Sequence, residues 1–258
     1  MPVALTIAGS DPSGGAGLQA DLKTFHQHGV YGTSVVTLLT VQNTQAVSAV
    51  ESIDRDFVLA QLDAVLDDIP PTAAKTGALG SAELIEAIAE RAATFSFPLV
   101  VDPVMVSKHG TALIDDAAIK TFTDRLLPNA FLVTPNLLEA AKLAAMEITD
   151  VHSMEKAAKA IANFGVKNVL VKNGNLNGDA IDVLWSEGKT HIFPTPRIET
   201  QNTHGTGCVL SAAITARLAK GEPLVTAVKA AKQFITAAIR TNPGLGQGFG
   251  PVNLFIKT

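Results

Sequence analysis

The chain alternates short apolar runs with longer amphipathic stretches. "VALTIA" (Val3 to Ala8) has strand length and ends in the turn-forming "GSDPSGGAG". Leu18, Leu22 and Phe25 then recur at helical spacing, and Gly29 closes that helix. "SVVTLLT" reads as a second strand, and Phe57, Leu62, Val65, Leu66 and Ile69 as a helix that stops before Pro70 and Pro71. The rhythm continues with a strand at "AAKT", a helix opened by Ser81, a strand at "PLVVD", a helix over 117–126 and a strand at "FLVT". A helix begun by Ser153 leads to "NVLVK", "AIDVLW" and "HIFPT". The last two have no helix between them, which predicts an antiparallel edge hairpin. Two helices end the chain, with Gly221 as stop and Pro223 as restart. Strands alternating with helices predict an α/β protein whose mostly parallel sheet is covered by helices on both faces. No linker, low-complexity run or repeat interrupts the pattern, so one domain over 1–258 is expected.

Composition narrows the partners. Of 258 residues 47% are hydrophobic and 17% charged, enough apolar material for a large core and too little charge for a disordered chain. A formal net charge of −4 gives no reason to expect nucleic acid or an anionic membrane. No stretch approaches the ~18 consecutive apolar residues of a membrane span. The opening "MPVALTIAGSDPSGG" lacks the basic region of a signal peptide. The lone cysteine, Cys208, cannot form an internal disulfide, which favours a reducing, cytoplasmic setting.

In open parallel sheets ligands bind outside the carboxyl ends of the strands. The conspicuous polar residues gather there: Asp11 after the first strand, Gln42 and Asn43 after the second, Asp102 after "PLVV", Thr134, Asn136 and Glu139 after "FLV", and Lys172 after "NVLV". Taken singly, each has an ordinary reading: a turn former for Asp102, a first-turn glutamate for Glu139, a snorkelling strand-end lysine for Lys172. Their coincidence along one edge points to a site.

Two nucleotide motifs are excluded. "GSDPSGG" has no Lys-Ser/Thr pair after its glycines, so it is not a P-loop. "GAGLQA" fits a dinucleotide fingerprint formally, but no Asp or Glu stands between Val30 and Val50 to hold a ribose, which counts against NAD. "GTGC" is a better anion cradle. Its glycines let the backbone approach a ligand, and the amides of Gly205 to Cys208 would point out of a helix amino terminus. With Asp102 and Glu139 to hold Mg²⁺ and Lys172 to meet phosphates, these parts suffice for phosphoryl transfer, which is mostly positioning and charge stabilisation. Cys208, otherwise readable as a small buried hydrophobe, then stands where a helix amino terminus would lower its pKa and supply a thiolate.

The stretches "LTIAGSDPSGGAGLQADLKTF", "VQNT", "KTGALG", "DPVMVSKHG", "TPNLLEA", "VLVKNG", "NTHGTGCVLSAAI" and "GFGPV" run along essentially the whole chain. In that order they resemble the hydroxymethylpyrimidine/phosphomethylpyrimidine kinases of thiamin biosynthesis, in the ribokinase-like superfamily. The resemblance implies a three-layer ribokinase-like fold, ATP as donor, Mg²⁺ as cofactor, a pyrimidine alcohol and then its monophosphate as acceptors, and a homodimer. It places Gly9, Asp21, Gln42, Ala78 and Val104 at the pyrimidine, and Asn136, Glu139, Lys172 and Thr203 at ATP and its phosphates. It makes Gly205, Thr206 and Gly207 the anion hole, Asp102 and Glu139 the metal carboxylates, and Cys208 the catalytic base beside Lys172. Ala78 replaces a methionine usual in the family, which widens one wall of the acceptor pocket. Asn173 and Asn175 replace a glycine and a histidine, and Leu138 a proline. Kinases of pyridoxal or pyridoxine remain an alternative, since those acceptors also carry a hydroxymethyl group on a nitrogen ring. A non-catalytic pyrimidine-binding protein is the other alternative. His109 reads as a turn residue, and His204 stays open between a cap and a phosphate contact.

Overall fold

A computed structural model describes residues 1–105, 114–172 and 178–256. Its first half contains β1 (Val3–Ser10), α1 (Gly17–Gln27), β2 (Tyr31–Gln42), β3 (Val47–Ser52), α2 (Arg55–Asp68), β4 (Ala73–Thr76), α3 (Ala82–Ala92) and β5 (Leu99–Val101). Then come α4 (Asp116–Thr121), β6 (Leu132–Val133), α5 (Leu137–Ala144), α6 (Val151–Ala162), β7 (Asn168–Val171), β8 (Ala180–Ser186), β9 (Lys189–Thr195), α7 (Thr206–Ala219) and α8 (Leu224–Arg240).

Among the described residues the strands form a nine-stranded sheet in the order β3-β2-β1-β4-β5-β6-β7-β8-β9. The pairs from β2 through β7 are parallel, whereas β3, β8 and β9 run antiparallel to their neighbours. Alternation along the strands feeds two cores. Leu5, Ile7, Ala74, Leu99, Val101, Val133, Val169, Val171 and Val183 face one side, beneath residues of α2 to α6 such as Leu62, Ile88 and Ile161. Ala4, Ala73, Val100, Leu132, Leu170 and Leu184 face the other, beneath α1, α7 and α8. A sheet buried on both faces needs such near-continuous apolar strands, and their carboxyl ends are left as the one polar edge.

Most predicted elements stand. The edge hairpin is β8–β9, Ser81 caps α3 through its side chain, and Pro223 precedes α8 while Gly221 takes φ +80°. Three differ. β3 was not foreseen, because its residues are nearly all exposed and carry no apolar period. The helix expected to begin at Ser153 begins at Val151, and Asp150 is the cap, its side chain accepting the Ser153 amide at 2.7 Å while Ser153 Oγ accepts that of Asp150 at 3.0 Å. The helix expected over 117–126 is α-helical only to Thr121 and continues as a π turn and then a 3₁₀ turn containing Pro128.

Candidate active site

The carboxyl ends of β1, β2, β4, β5, β6 and β7 open into a cleft of about 970 Å³ bordered by α5, α7 and α8. Its floor is built where two glycine loops meet. After β1 the Asp11 carboxylate accepts the amides of Ser13 at 2.9 Å and Ala16 at 2.8 Å, folding the loop back into α1. Before α7, Gly205 takes φ +78°, and a Cβ there would lie 1.8 Å from the carbonyl oxygen of Gly15. Only glycine fits, and the close approach fixes how the two loops sit.

α7 starts at Thr206. The Thr206 amide turns back onto the Thr203 carbonyl at 3.3 Å, so the expected cradle is corrected at that position. The amides of Gly205, Gly207 and Cys208 have no hydrogen-bond acceptor among the described residues, which makes them the donors available to an anion. Thr206 and Thr203 remain on the cleft wall.

The charged residues converge on this cradle. Lys172 Nζ lies 2.9 Å from Asp102 Oδ1, and a Cβ built on Gly207 would come 3.2 Å from Lys172 Nζ and 3.7 Å from Asp102 Oδ2. Thr134 Oγ1 also donates to Asp102, at 3.2 Å, and Ser211 Oγ lies 3.3 Å from Asp102 Oδ2 and 3.0 Å from the Cys208 carbonyl oxygen. Burial raises the pKa of Asp102, but Lys172 and Lys75 outweigh it and hold the group below its ordinary value. Burial pulls the other way on Lys172, and Asp102 and Glu139 overcome it, so the lysine is raised and stays charged. Asn136 caps α5: its Oδ1 accepts the Glu139 amide at 3.0 Å, and Glu139 Oε2 accepts the Asn136 amide at 2.8 Å. Burial pushes Glu139 up to about 7, against the pull of Lys172.

Asp102 and Glu139 fit a magnesium ion shared with phosphate oxygens and water. Both carboxylates line the same cleft, and Mg²⁺ typically takes one or two carboxylates plus phosphate oxygens. No cluster of three or more His, Cys, Asp or Glu residues that could hold a metal occurs among the described residues.

Cys208 is partly buried, in the first turn of α7. The thiolate expected from its helix-terminal position is corrected: burial pushes the thiol up to about 11, against the smaller opposing effects of Lys75 and of a hydrogen bond from the Gly17 amide. Lys75 is the residue that sequence reasoning missed. It stands on β4 with Nζ 2.8 Å from Asp21 Oδ1, and neither side chain is exposed. Asp21 Oδ2 is bound by Thr6 Oγ1 at 2.6 Å, so Asp21 reaches the site as the counter-ion of Lys75. Asp21, expected among the pyrimidine ligands, lines the cleft with its carboxylate paired to Lys75. A lysine inside the apolar run "AAKT" was the available signal, since lysine is almost never fully buried unless paired.

Gly9, Gln42, Ala78 and Val104 also line the cleft, with Leu38 and Phe249. A Cβ on Gly9 would be 2.5 Å from Leu38 Cδ1, so glycine there keeps the wall open. His204 is buried against Asp11, with Nε2 2.7 Å from Asp11 Oδ2, and therefore neither caps a helix with its side chain nor stands free for a phosphate. His109, Asn173 and Asn175 lie outside the described residues.

Comparison with known proteins agrees with this arrangement. The profile of the family described as phosphomethylpyrimidine kinase matches residues 11–253. The hydroxymethylpyrimidine/phosphomethylpyrimidine kinase of Synechococcus elongatus is 48% identical, covering 99% of this chain and 98% of its own. Among solved structures, the pyridoxal kinase of Bacillus subtilis, in an ADP complex, superposes with TM-score 0.91 at 40% identity, covering 98% of this chain and 97% of its own. The phosphomethylpyrimidine kinase of Clostridium difficile superposes with TM-score 0.83 at 42% identity, covering 93% and 100%. A parallel sheet with its polar groups at the strand ends, matched over this length and at this identity, makes the chain a phosphotransferase with the ribokinase-like fold that belongs to the phosphomethylpyrimidine kinase family.

Proposed function

We propose that the chain transfers the γ-phosphoryl group of ATP to the hydroxymethyl oxygen of 4-amino-5-hydroxymethyl-2-methylpyrimidine and then to the resulting monophosphate, supplying the pyrimidine pyrophosphate of thiamin biosynthesis. The carrying observation is the meeting of three free backbone amides, at Gly205, Gly207 and Cys208, with Lys172 and Asp102 at one end of the cleft. Gly9, Gln42, Ala78 and Val104 line the same cleft and are the residues assigned here to the acceptor. The amide cradle takes the charge that develops on the transferred group, Lys172 adds a point charge, and Asn136, Glu139 and Thr203 lie along the nucleotide phosphates. Mg²⁺, held by Asp102 and Glu139 directly or through water, supplies charge neutralisation to those phosphates when bound.

Cys208 accepts the hydroxymethyl proton late in the transfer. With its pKa near 11 the resting group is a thiol, and the reactive form is a minority thiolate, which is correspondingly the stronger base. ATP as donor and an unpaired cysteine support a cytoplasmic setting. Leu39 and Val41, exposed on one face of β2, offer a contact for a second copy in a homodimer, which sedimentation will test.

The deciding experiment is ADP release with Mg·ATP and hydroxymethylpyrimidine, its monophosphate or pyridoxal, each repeated with Cys208→Ala. Turnover of both pyrimidines that collapses in the variant is expected. Near-normal turnover by Cys208→Ala overturns the base role, and turnover of pyridoxal alone overturns the pathway. Pyridoxal as a second acceptor is favoured by one observation, the small side chain of Ala78 on the cleft wall. Pyridoxal should then compete with the pyrimidine, and Ala78→Met should weaken pyridoxal more than the pyrimidine.

A further inference from the structure

Asp11 and His204 stand beside the acceptor end of the cleft yet take no part in the chemistry above. Both are 3% exposed. His204 Nε2 lies 2.7 Å from Asp11 Oδ2, and the same nitrogen lies 3.2 Å from the amide end of Gln42. The ring is held firmly. The His204 backbone amide donates to the Gly250 carbonyl at 3.0 Å, and a Cβ on Gly15 would meet His204 Cδ2 at 2.6 Å.

Hydrogen-bond accounting at this cluster has one consistent solution. Burial raises the pKa of Asp11, but hydrogen bonds from His204 and Ser13 outweigh it and leave the group lowered, an ionised carboxylate. An ionised carboxylate only accepts, so the ring atom facing it, Nε2, carries a hydrogen. That assignment also spares Nδ1, buried with no partner among the described residues, an N–H with nowhere to donate. A protonated Nε2 has no lone pair for an NH₂ group, and its one hydrogen goes to Asp11 at 2.7 Å, so the Gln42 atom 3.2 Å away is the carbonyl oxygen, drawn to the polarised N–H without a full hydrogen bond of its own.

Thr40 requires the same orientation independently. Its hydroxyl has one hydrogen, given to the Ser10 carbonyl at 2.9 Å. Toward the other end of the Gln42 amide, 3.3 Å away, it can therefore only accept. With the amide nitrogen toward His204 both contacts fail, and turning the amide over, which its shape permits, repairs both.

We propose that Asp11 and His204 are positioning residues: with the Nε2 hydrogen held by Asp11, the ring offers the Gln42 NH₂ no acceptor, and this keeps the Gln42 amide with Oε1 toward His204 and its NH₂ toward Thr40. The inference rests on the reading that the Gln42 end of the cleft takes the pyrimidine. One N–H and one lone pair of Oε1 are then left side by side for the acceptor. That pair complements a ring nitrogen next to an amino group and repels a ring N–H next to a carbonyl. The lock thus selects an aminopyrimidine over its 4-oxo counterpart, in which donor and acceptor are exchanged.

The test compares kcat/KM for 4-amino-5-hydroxymethyl-2-methylpyrimidine and its 4-oxo analogue in the natural protein and in His204→Leu. The natural protein should prefer the amino compound by roughly 10²-fold or more. His204→Leu frees the amide to turn, so the preference should fall at least about tenfold with KM for ATP unchanged. Equal loss on both acceptors, leaving the ratio intact, would mean that His204 is merely structural and would overturn the proposal. The ¹⁵N spectrum of the imidazole in the natural protein decides the matter even if the variant does not fold: a hydrogen on Nε2 is expected, and a bare Nε2 overturns the lock. If the natural protein phosphorylates neither pyrimidine, the functional reading fails by itself, and the spectrum still tests the orientation.

Discussion

Lys75 and Asp21 form an ion pair of 2.8 Å in which neither side chain reaches solvent, and the charge of Lys75 acts on the Cys208 sulfur. One residue comes from a central strand and the other from the first helix, 54 positions apart. A buried pair of this kind adds little to stability against an apolar replacement, but breaking it strands a charge.

Lys75→Met should therefore cost about 3–5 kcal/mol, since Asp21 is left without its counter-ion. Combining it with Asp21→Asn should recover part of that loss, giving a coupling above about 1 kcal/mol in a urea-denaturation cycle. Simple additivity would show that the two charges do not depend on one another.

The pH dependence of Cys208 has a definite sign. With the thiol near 11, the thiolate fraction rises about tenfold per pH unit between pH 7 and 9 and is still rising at the top of that range. Alkylation by iodoacetamide should climb with that slope, and so should kcat/KM if the thiolate is the base. A plateau near neutrality would mean that α7 lowers the thiol after all.

Lys172→Ala should reduce kcat by roughly 10²–10³-fold with a smaller effect on acceptor KM, the pattern for loss of charge stabilisation at the transferring group. Lys172→Arg should rescue poorly, because Nζ sits where even a Cβ on Gly207 would come within 3.2 Å. Steady-state kinetics on both acceptors will distinguish these outcomes.

Gly205 and Gly221 have nearly the same backbone angle, φ +78° and +80°, but very different surroundings. A Cβ on Gly205 would meet the Gly15 oxygen at 1.8 Å, whereas one on Gly221 meets nothing within 4 Å. Gly221→Ala should cost only the strain of the left-handed conformation, about 1–2 kcal/mol. Gly205→Ala should cost clearly more in thermal unfolding and also abolish turnover. Equal losses would mean that the two glycine loops can separate freely.

Much of this protein was legible along the chain because its determinants are local or periodic. The strands are apolar runs of the right length, Ser81 and Pro223 mark helix starts, and the polar residues that end the strands identify one edge of a parallel sheet. Asp102, Glu139, Lys172 and the "GTGC" turn do share a cleft. β3 was hidden because an exposed edge strand needs no apolar face. Lys75 was hidden because a single lysine in a strand looks like a surface residue until its partner on α1 is known.

The sequence by itself therefore determined the layering, the functional edge and the family, since period and motif survive in one dimension. Only the tertiary structure decided the electrostatics. It placed Cys208 in surroundings where burial outweighs the charge of Lys75, paired Asp21 with Lys75, and brought Asp11, His204 and Gln42 within hydrogen-bonding distance. Solvation and pairing depend on neighbours up to 193 positions away along the chain. No local pattern encodes them, because an ionisable group responds to what surrounds it in space.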